Sequence, residues 1–186
     1  MGPQDVCVAA GISLELSPLV QTPGNPVARE KMYEKMRKAG VAVITVDEML
    51  ASQAKGIPVL DVRPKNEYEK GHIPDSVNIP LYDLITGWQP YKIARRGGHL
   101  IFGSIDGTEF QEDFLDECVK QLDREMGVTV VCNMGATLEE DATTFSGRAT
   151  RSLMAAHELV CQDFKNVSIL QKGVYDYITP ERELSK

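Results

Sequence analysis

The sequence predicts an α/β domain with a mainly parallel central sheet and helices on both faces. Three observations carry this expectation. The runs IPVLDV, VTVVC and NVSIL are short, continuous and rich in β-branched residues, as strands covered on both sides should be. Segments of helical periodicity alternate with them, the order that joins parallel strands through crossover helices. A chain of 186 residues with 42% hydrophobic content also suffices for one ordinary core.

The elements follow in chain order. From Met1 to about Ala28 the text is rich in Gly, Pro, Gln, Ser and Asn without sustained periodicity, which suits an extended or poorly ordered arm. REKMYEKMRKAG predicts a charged helix with Met32 and Met36 on one side and Gly40 as its stop, a lead-in helix outside the core. Thr45 and Glu48 have capping-box spacing, so a short helix should run from Val46 to about Gln53. IPVLDV, bounded by Gly56 and Pro64, is the first strong strand. NEYEKGHIPDSVNIP reads as a short polar helix, a turn at Gly71-His72 and a brief strand through Val77 and Ile79. The next stretch predicts helical pieces around Leu81 to Ile85 and Tyr91 to Arg96. In EFQEDFLDECVKQLD, Phe110, Phe114, Leu115, Cys118, Val119 and Leu122 recur at helical intervals and mark one buried face. VTVVC is the second strong strand. RSLMAAHELVCQDF sets Leu153, Ala156, Val160, Cys161 and Phe164 on one helical face, NVSILQKG is the third strand, and VYDYI makes a closing turn. This gives an arm and lead-in helix over 1–40, the main domain over 41–180 and a tail over 181–186.

Composition excludes several classes. The formal net charge of −7, from 20 Lys+Arg against 27 Asp+Glu, repels phosphate backbones, so no nucleic-acid partner is expected. No apolar run reaches the roughly 18 residues that a membrane-spanning helix needs, which suits a soluble or peripheral chain. The N-terminal text lacks a basic region followed by an apolar core and is poor in arginine, so no address is legible in it; Val6 stands where a myristoylation signal wants Ser or Thr. Cys7, Cys118, Cys132 and Cys161 form no C-x-x-C pair and no metal-like spacing with the 3 histidines, so no metal is expected. Cys118 and Cys161 fall at apolar helical positions and read as small core residues.

VLDVRPKNEYEKGHIPDSVNIPL resembles the first signature of the rhodanese-like domain family, and VTVVC, RSLMAAHELV and NVSILQKGVYDY resemble its active-site and C-terminal blocks. Together these blocks span about Val41 to Ile178, in the family's order. The stretch WQPYKIARRGGHLIFGSIDGTEFQEDF is similar to a narrower group, the single-domain plastid proteins of plants and algae, which implies a chloroplast location. The resemblance implies a rhodanese-like fold and sulfurtransferase chemistry with no metal or organic cofactor. A cysteine at the end of a central strand, here Cys132, takes sulfane sulfur from a small anionic donor as a persulfide and passes it to a thiol or protein acceptor. A thiolate is the attacking species, and consecutive amides beside a helix N-terminus would stabilise it.

The chain departs from the family at the loop. Four residues usually separate the cysteine from an Arg that is followed by Ser and the helix; here 18 separate Cys132 from Arg151, giving an enlarged loop at 133–150. A longer loop costs little closure entropy, so folding tolerates it, but a tight cradle does not follow. Arg151 and Arg148 are the candidates for holding the donor's anionic end, since guanidinium matches such oxygens bidentately. Glu139, Glu140 and Asp141 make the insertion acidic. Asp61 and Arg63 occupy positions where the family carries a charged pair beside the entrance; a structural salt bridge is the rival reading. His72 belongs to the turn. Lys172 replaces a small residue next to Gly173 and would narrow the approach, while Asp75 and Ser76 replace another small pair.

Three functions fit this reading. The first is the sulfurtransferase, of thiosulfate or mercaptopyruvate type. The second is a weakly active or inactive interaction module that docks a plastid protein through the acidic loop, the Trp88 to Arg96 segment or the N-terminal helix. The third is oxyanion chemistry of the related phosphatases and arsenate reductases, whose Cys-to-Arg loop is only slightly longer than the sulfurtransferase loop.

Overall fold

A computed structural model describes residues 17, 25–86, 89–92, 107–136, 138, 149–179 and 182–185. Strands β1 (Ala42–Ile44), β2 (Val59–Asp61), β3 (Val77–Asn78), β6 (Val128–Val131) and β7 (Val167–Leu170) form one sheet in the order β1-β7-β6-β2-β3. Every pairing in it is parallel. The three runs read as strands become the three central strands, buried throughout except at the half-buried Ser168.

Register then sorts the core. Leu60 pairs with Val130, and Val130 with Ile169, so these side chains line one face. There they join helix α1 (Pro26–Lys38), α4 (Phe114–Gln121) and α5 (Arg151–Cys161). Val59, Val131 and Leu170 point the other way and pack with α2 (Val46–Gln53) and α6 (Val174–Tyr177). The short α3 (Lys65–Tyr68) follows β2. Helices thus cover both faces, as the sequence pattern predicts.

Local chemistry sets the helix ends. The Thr45 hydroxyl accepts from the Glu48 amide while the Glu48 carboxylate accepts from the Thr45 amide, which completes the capping box at the expected Val46–Gln53. These bonds hold the Glu48 carboxyl below its ordinary pKa. Asn25 caps α1 by accepting from the Val27 and Ala28 amides, and Gly40 ends the segment at φ 73°.

Two expectations are corrected. The helix α1 is part of the core: Met32 and Met36 are fully buried in the same cluster as Leu60 and Ile169. A helix with so many charges still presents one apolar stripe, and α5 supplies a face for it. The apolar side of α1 is therefore not open to a partner. The segment around Leu81 to Ile85 is not helical. It forms β4 (Tyr82–Leu84), antiparallel to β5 (Thr108–Phe110), with the Tyr82 and Phe110 rings meeting edge-on at 4.6 Å. Phe110 accordingly belongs to a strand, and the helical face begins at Phe114. Residues 90–92 are helical, whereas 93–96 and Trp88 lie outside the described residues.

The C-terminal residues fold back. Ser185 pairs with His72, Leu184 lies against Gly71, and Arg182 binds Asp47 at 2.7 Å. Asp75 takes φ 58°, a left-handed conformation that short polar side chains tolerate. No helix among the described residues is long and apolar enough to cross a membrane.

Candidate functional site

Strand β6 is buried along its whole length and delivers Cys132 to the carboxyl end of the sheet, the edge where open α/β sheets place ligands. Cys132 is 4% exposed. Its Sγ lies 3.2 Å from Ser152 Oγ and 3.9 Å from the Gly135 carbonyl. Ser152 Oγ is also 3.3 Å from Thr150 Oγ1, and Thr150 caps α5 by accepting from the Leu153 amide. The thiol thus sits at the first turn of an 11-residue helix, where the backbone dipole favours an anion.

The chain leaves Cys132 along a fixed path. The Cys132 carbonyl accepts from the Val174 amide at 2.9 Å, and the Asn133 carbonyl accepts from Tyr175 at 3.4 Å. Gly135 and Gly173 both have positive φ, 64° and 66°. Ala136 is buried, Leu138 packs on the core and its carbonyl accepts from Arg37 Nη1 at 3.2 Å, and Ala149 is buried where the loop returns. Both ends of the 133–150 loop are anchored. Arg148, Glu139, Glu140 and Asp141 lie outside the described residues.

A chain of charges runs beside the thiol. Asp61 is fully buried and takes three hydrogen bonds from the Arg63 guanidinium, the shortest 2.6 Å. Arg63 also donates to the Gly71 carbonyl at 2.8 Å and reaches Asn133 Oδ1 at 3.4 Å. Asn133 Nδ2 donates to Glu67 Oε2, and Glu67 Oε1 accepts from both Nη1 and Nη2 of Arg151 at 3.2 Å. Behind Arg151, the phenol of Tyr82 is 4.0 Å from Met154 Sδ. Burial pushes the Tyr82 pKa up, while Arg151 pulls against that rise.

Of the residues singled out from sequence, Cys132 and Arg151 come to the same end of the fold. Asp61 and Arg63 form a buried brace tying the strand end to the Gly71 turn, so the salt-bridge reading describes their geometry. The Lys172 side chain is exposed and lies 3.6 Å from Asp176. His72 stacks on Tyr68 and is 3.2 Å from the Tyr68 carbonyl, a role within its own turn. Glu67, Asn133 and Tyr82 were not singled out. Glu67 stood in a polar run that reads as solvated surface, and only the proximity of Arg151 in space gives it meaning.

Spacing also predicted no metal-like grouping of cysteine and histidine, yet α5 brings His157, Glu158 and Cys161 within 4.8 Å of one another. His157 and Glu158 are buried and paired at 2.9 Å, and the second Glu158 oxygen accepts from the Ser17 amide at 2.8 Å. No fourth such side chain joins them among the described residues.

Comparison with known proteins identifies the family. The rhodanese-like domain family model matches residues 45–179. A chloroplastic rhodanese-like domain-containing protein of Arabidopsis thaliana is 33% identical over 159 residues, which are 83% of this chain and 71% of that protein. A tRNA sulfurtransferase of Thermoplasma acidophilum is 36% identical over 62 residues, 31% of this chain and 13% of that protein. Among solved structures, the rhodanese-like domain of an Anabaena protein superposes with a TM-score of 0.42 at 18% identity, covering 72% of this chain and 70% of that one. The family model spans all five parallel strands except β1, together with Cys132 and Arg151, and on that match the chain belongs to the rhodanese-like domain family.

Proposed function

We propose that the chain is a single-domain sulfurtransferase that carries sulfane sulfur as a persulfide on Cys132. The observation that supports this most is the Cys132 Sγ held 3.2 Å from a buried hydroxyl, at the meeting of a strand end and a helix N-terminus. With thiosulfate as donor, the Cys132 thiolate attacks the outer sulfur. The new S–S bond forms on Cys132, the donor's S–S bond breaks, and its electron pair leaves with sulfite. A thiol or protein acceptor then takes the outer sulfur and restores the thiolate, a ping-pong cycle.

Ser152 has a part in both states. Its hydroxyl accepts from the thiol and, after rotation, donates to the thiolate or persulfide. Arg151, with Arg148 beside it in sequence, would hold the anionic end of the donor, and the amides of the loop after Cys132 would stabilise charge on sulfur. The chloroplastic relative supports a plastid setting.

Intact mass tests the reading. Reduced protein incubated with thiosulfate should gain one sulfur on Cys132, lose it to cyanide as thiocyanate, and gain none as Cys132→Ser. An accessible Cys132 that takes no sulfur from thiosulfate, mercaptopyruvate or a hydropersulfide would reject the proposal in favour of the interaction module.

A further inference from the structure

We infer that Glu67 is a specificity-determining residue, which handicaps dianionic sulfur donors by occupying the guanidinium of Arg151. The inference rests on the sulfurtransferase reading for its reaction, but its physical content is a competition between two anions for one cation. Glu67 Oε1 meets both terminal nitrogens of Arg151 at 3.2 Å. Its other oxygen is held by Asn133, the residue after Cys132. The carboxylate therefore lies between the thiol's own loop and the arginine nominated for the donor. An anion approaching Arg151 must displace Glu67 or share the cation with it.

The local charge count sharpens the point. Asp61 and Glu67 stand against Arg63 and Arg151, so the four groups of the network cancel. Within this described network each guanidinium already faces a carboxylate, so neither Arg63 nor Arg151 meets an incoming anion as an uncompensated cation. The pair is also open to exchange: the side chains of Arg151 and Glu67 are 32% and 26% exposed. Their contact at 3.2 Å is longer than the roughly 2.7–2.9 Å of a strong charge-assisted bond. Glu67 has a fixed second anchor on Asn133, which keeps it in place without making the arginine pairing optimal.

This arrangement favours a donor whose sulfane sulfur rides on a thiol, a hydropersulfide R–S–SH, over one that ends in a sulfonate-like dianion. The Cys132 thiolate attacks the terminal sulfur of the hydropersulfide, the R–S to S bond breaks, and R–S leaves with the proton as R–SH. No dianion has to be seated beside Glu67 in that step. With thiosulfate, the three oxygens of the leaving sulfite need the guanidinium that Glu67 holds.

Sulfate, an unreactive tetrahedral dianion, tests the competition apart from any chemistry. It is titrated by calorimetry into Cys132→Ser and into Cys132→Ser/Glu67→Gln. Affinity should rise about tenfold when the competing charge is removed, the scale of one charge-assisted contact, and the gain should vanish when Arg151→Ala is added. In the Cys132 protein, Glu67→Gln should raise the kcat/KM ratio of thiosulfate over an alkyl hydropersulfide by a similar factor, chiefly through KM for thiosulfate. Melting temperatures report whether the near-isosteric glutamine folds. If it does not, Glu67→Asp, which keeps the charge but withdraws it from Arg151, should give an intermediate gain. Equal sulfate affinity in folded proteins with and without Glu67 overturns the inference. Tighter sulfate binding with no sulfur loading from either donor upholds the competition and rejects the sulfurtransferase reading instead.

Discussion

A β-carbon on Gly173 would lie 2.1 Å from the carbonyl oxygen of Cys132 and 2.6 Å from the Gly135 nitrogen. Backbone, not flexible side chain, fills that space, and φ at Gly173 is +66°, a region that side chains strain to adopt. The turn after β7 is therefore part of the wall that shapes the thiol's loop. Gly173→Ala should destabilise the fold by roughly 3 kcal/mol or more, since it combines backbone strain with an unavoidable overlap. Urea denaturation measures the cost. A loss under about 1 kcal/mol would mean that the β7 turn can withdraw from Cys132.

The second prediction concerns α1. Met32 is fully buried among residues of the main sheet's core, whereas Val27 on the same helix is largely exposed. Truncating a buried Met to Ala costs about 2–5 kcal/mol through lost transfer energy and a residual cavity. Met32→Ala should fall in that range, while Val27→Ala should change stability by less than about 0.5 kcal/mol. Equal effects of the two would place α1 outside the cooperative unit.

How far the fold was legible follows from the type of signal each residue carries. Val59, Val130 and Ile169 lie in short runs rich in β-branched residues, which identify strands without any tertiary knowledge. Thr45 and Glu48 identify a helix start by chemistry confined to four residues. Met32 and Met36 were visible as a stripe, but a stripe does not say what it packs against; that needed α5 in space. Tyr82 to Leu84 failed for a different reason. The segment is too short for a period to show, and its strand exists because Phe110, far along the chain, offers a partner.

The site divided in the same way. The positions of Cys132 and Arg151 were legible because strand end and helix start are sequence features. The contact of Glu67 with Arg151 was not, because it spans 84 positions. Asp61 and Arg63 sit two residues apart, so their pairing was foreseeable, but only burial distinguishes a brace from an open charged pair.

That brace yields the third prediction. Arg63→Ala leaves the fully buried Asp61 carboxylate without its cation and also removes the bond to the Gly71 carbonyl. Breaking such a pair from one side costs about 3–5 kcal/mol. Arg63→Ala should lose that much, and Asp61→Asn/Arg63→Met should lose less than Arg63→Ala alone. Chemical denaturation of the single and double variants gives the comparison. A double variant as unstable as Arg63→Ala would show that the uncompensated charge is not the source of the loss.

The last prediction uses Cys118, which burial pushes to a pKa well above the ordinary thiol range, with Glu117 adding to the rise. The direction fixes the sign. A group whose folded pKa is raised holds its proton in the folded state while the unfolded chain releases it, so its stabilisation is complete below the unfolded pKa of about 8.5. It declines as pH rises from there and is gone only above the folded pKa. The limiting slope is about 1.4 kcal/mol per pH unit for one such group. Other groups also titrate in this range, but they are common to the parent chain and Cys118→Ala and cancel in the difference between them. Measured by urea denaturation under reducing conditions from pH 8 to 10.5, the parent should lose stability with the steeper slope, the difference between the two slopes approaching that limit. At pH 7, Cys118→Ala should be the less stable of the two because of the vacated core volume, and the gap should shrink as pH rises. Parallel curves would show that Cys118 ionises in place, which requires water or a compensating group to reach a thiol that lies wholly within the core.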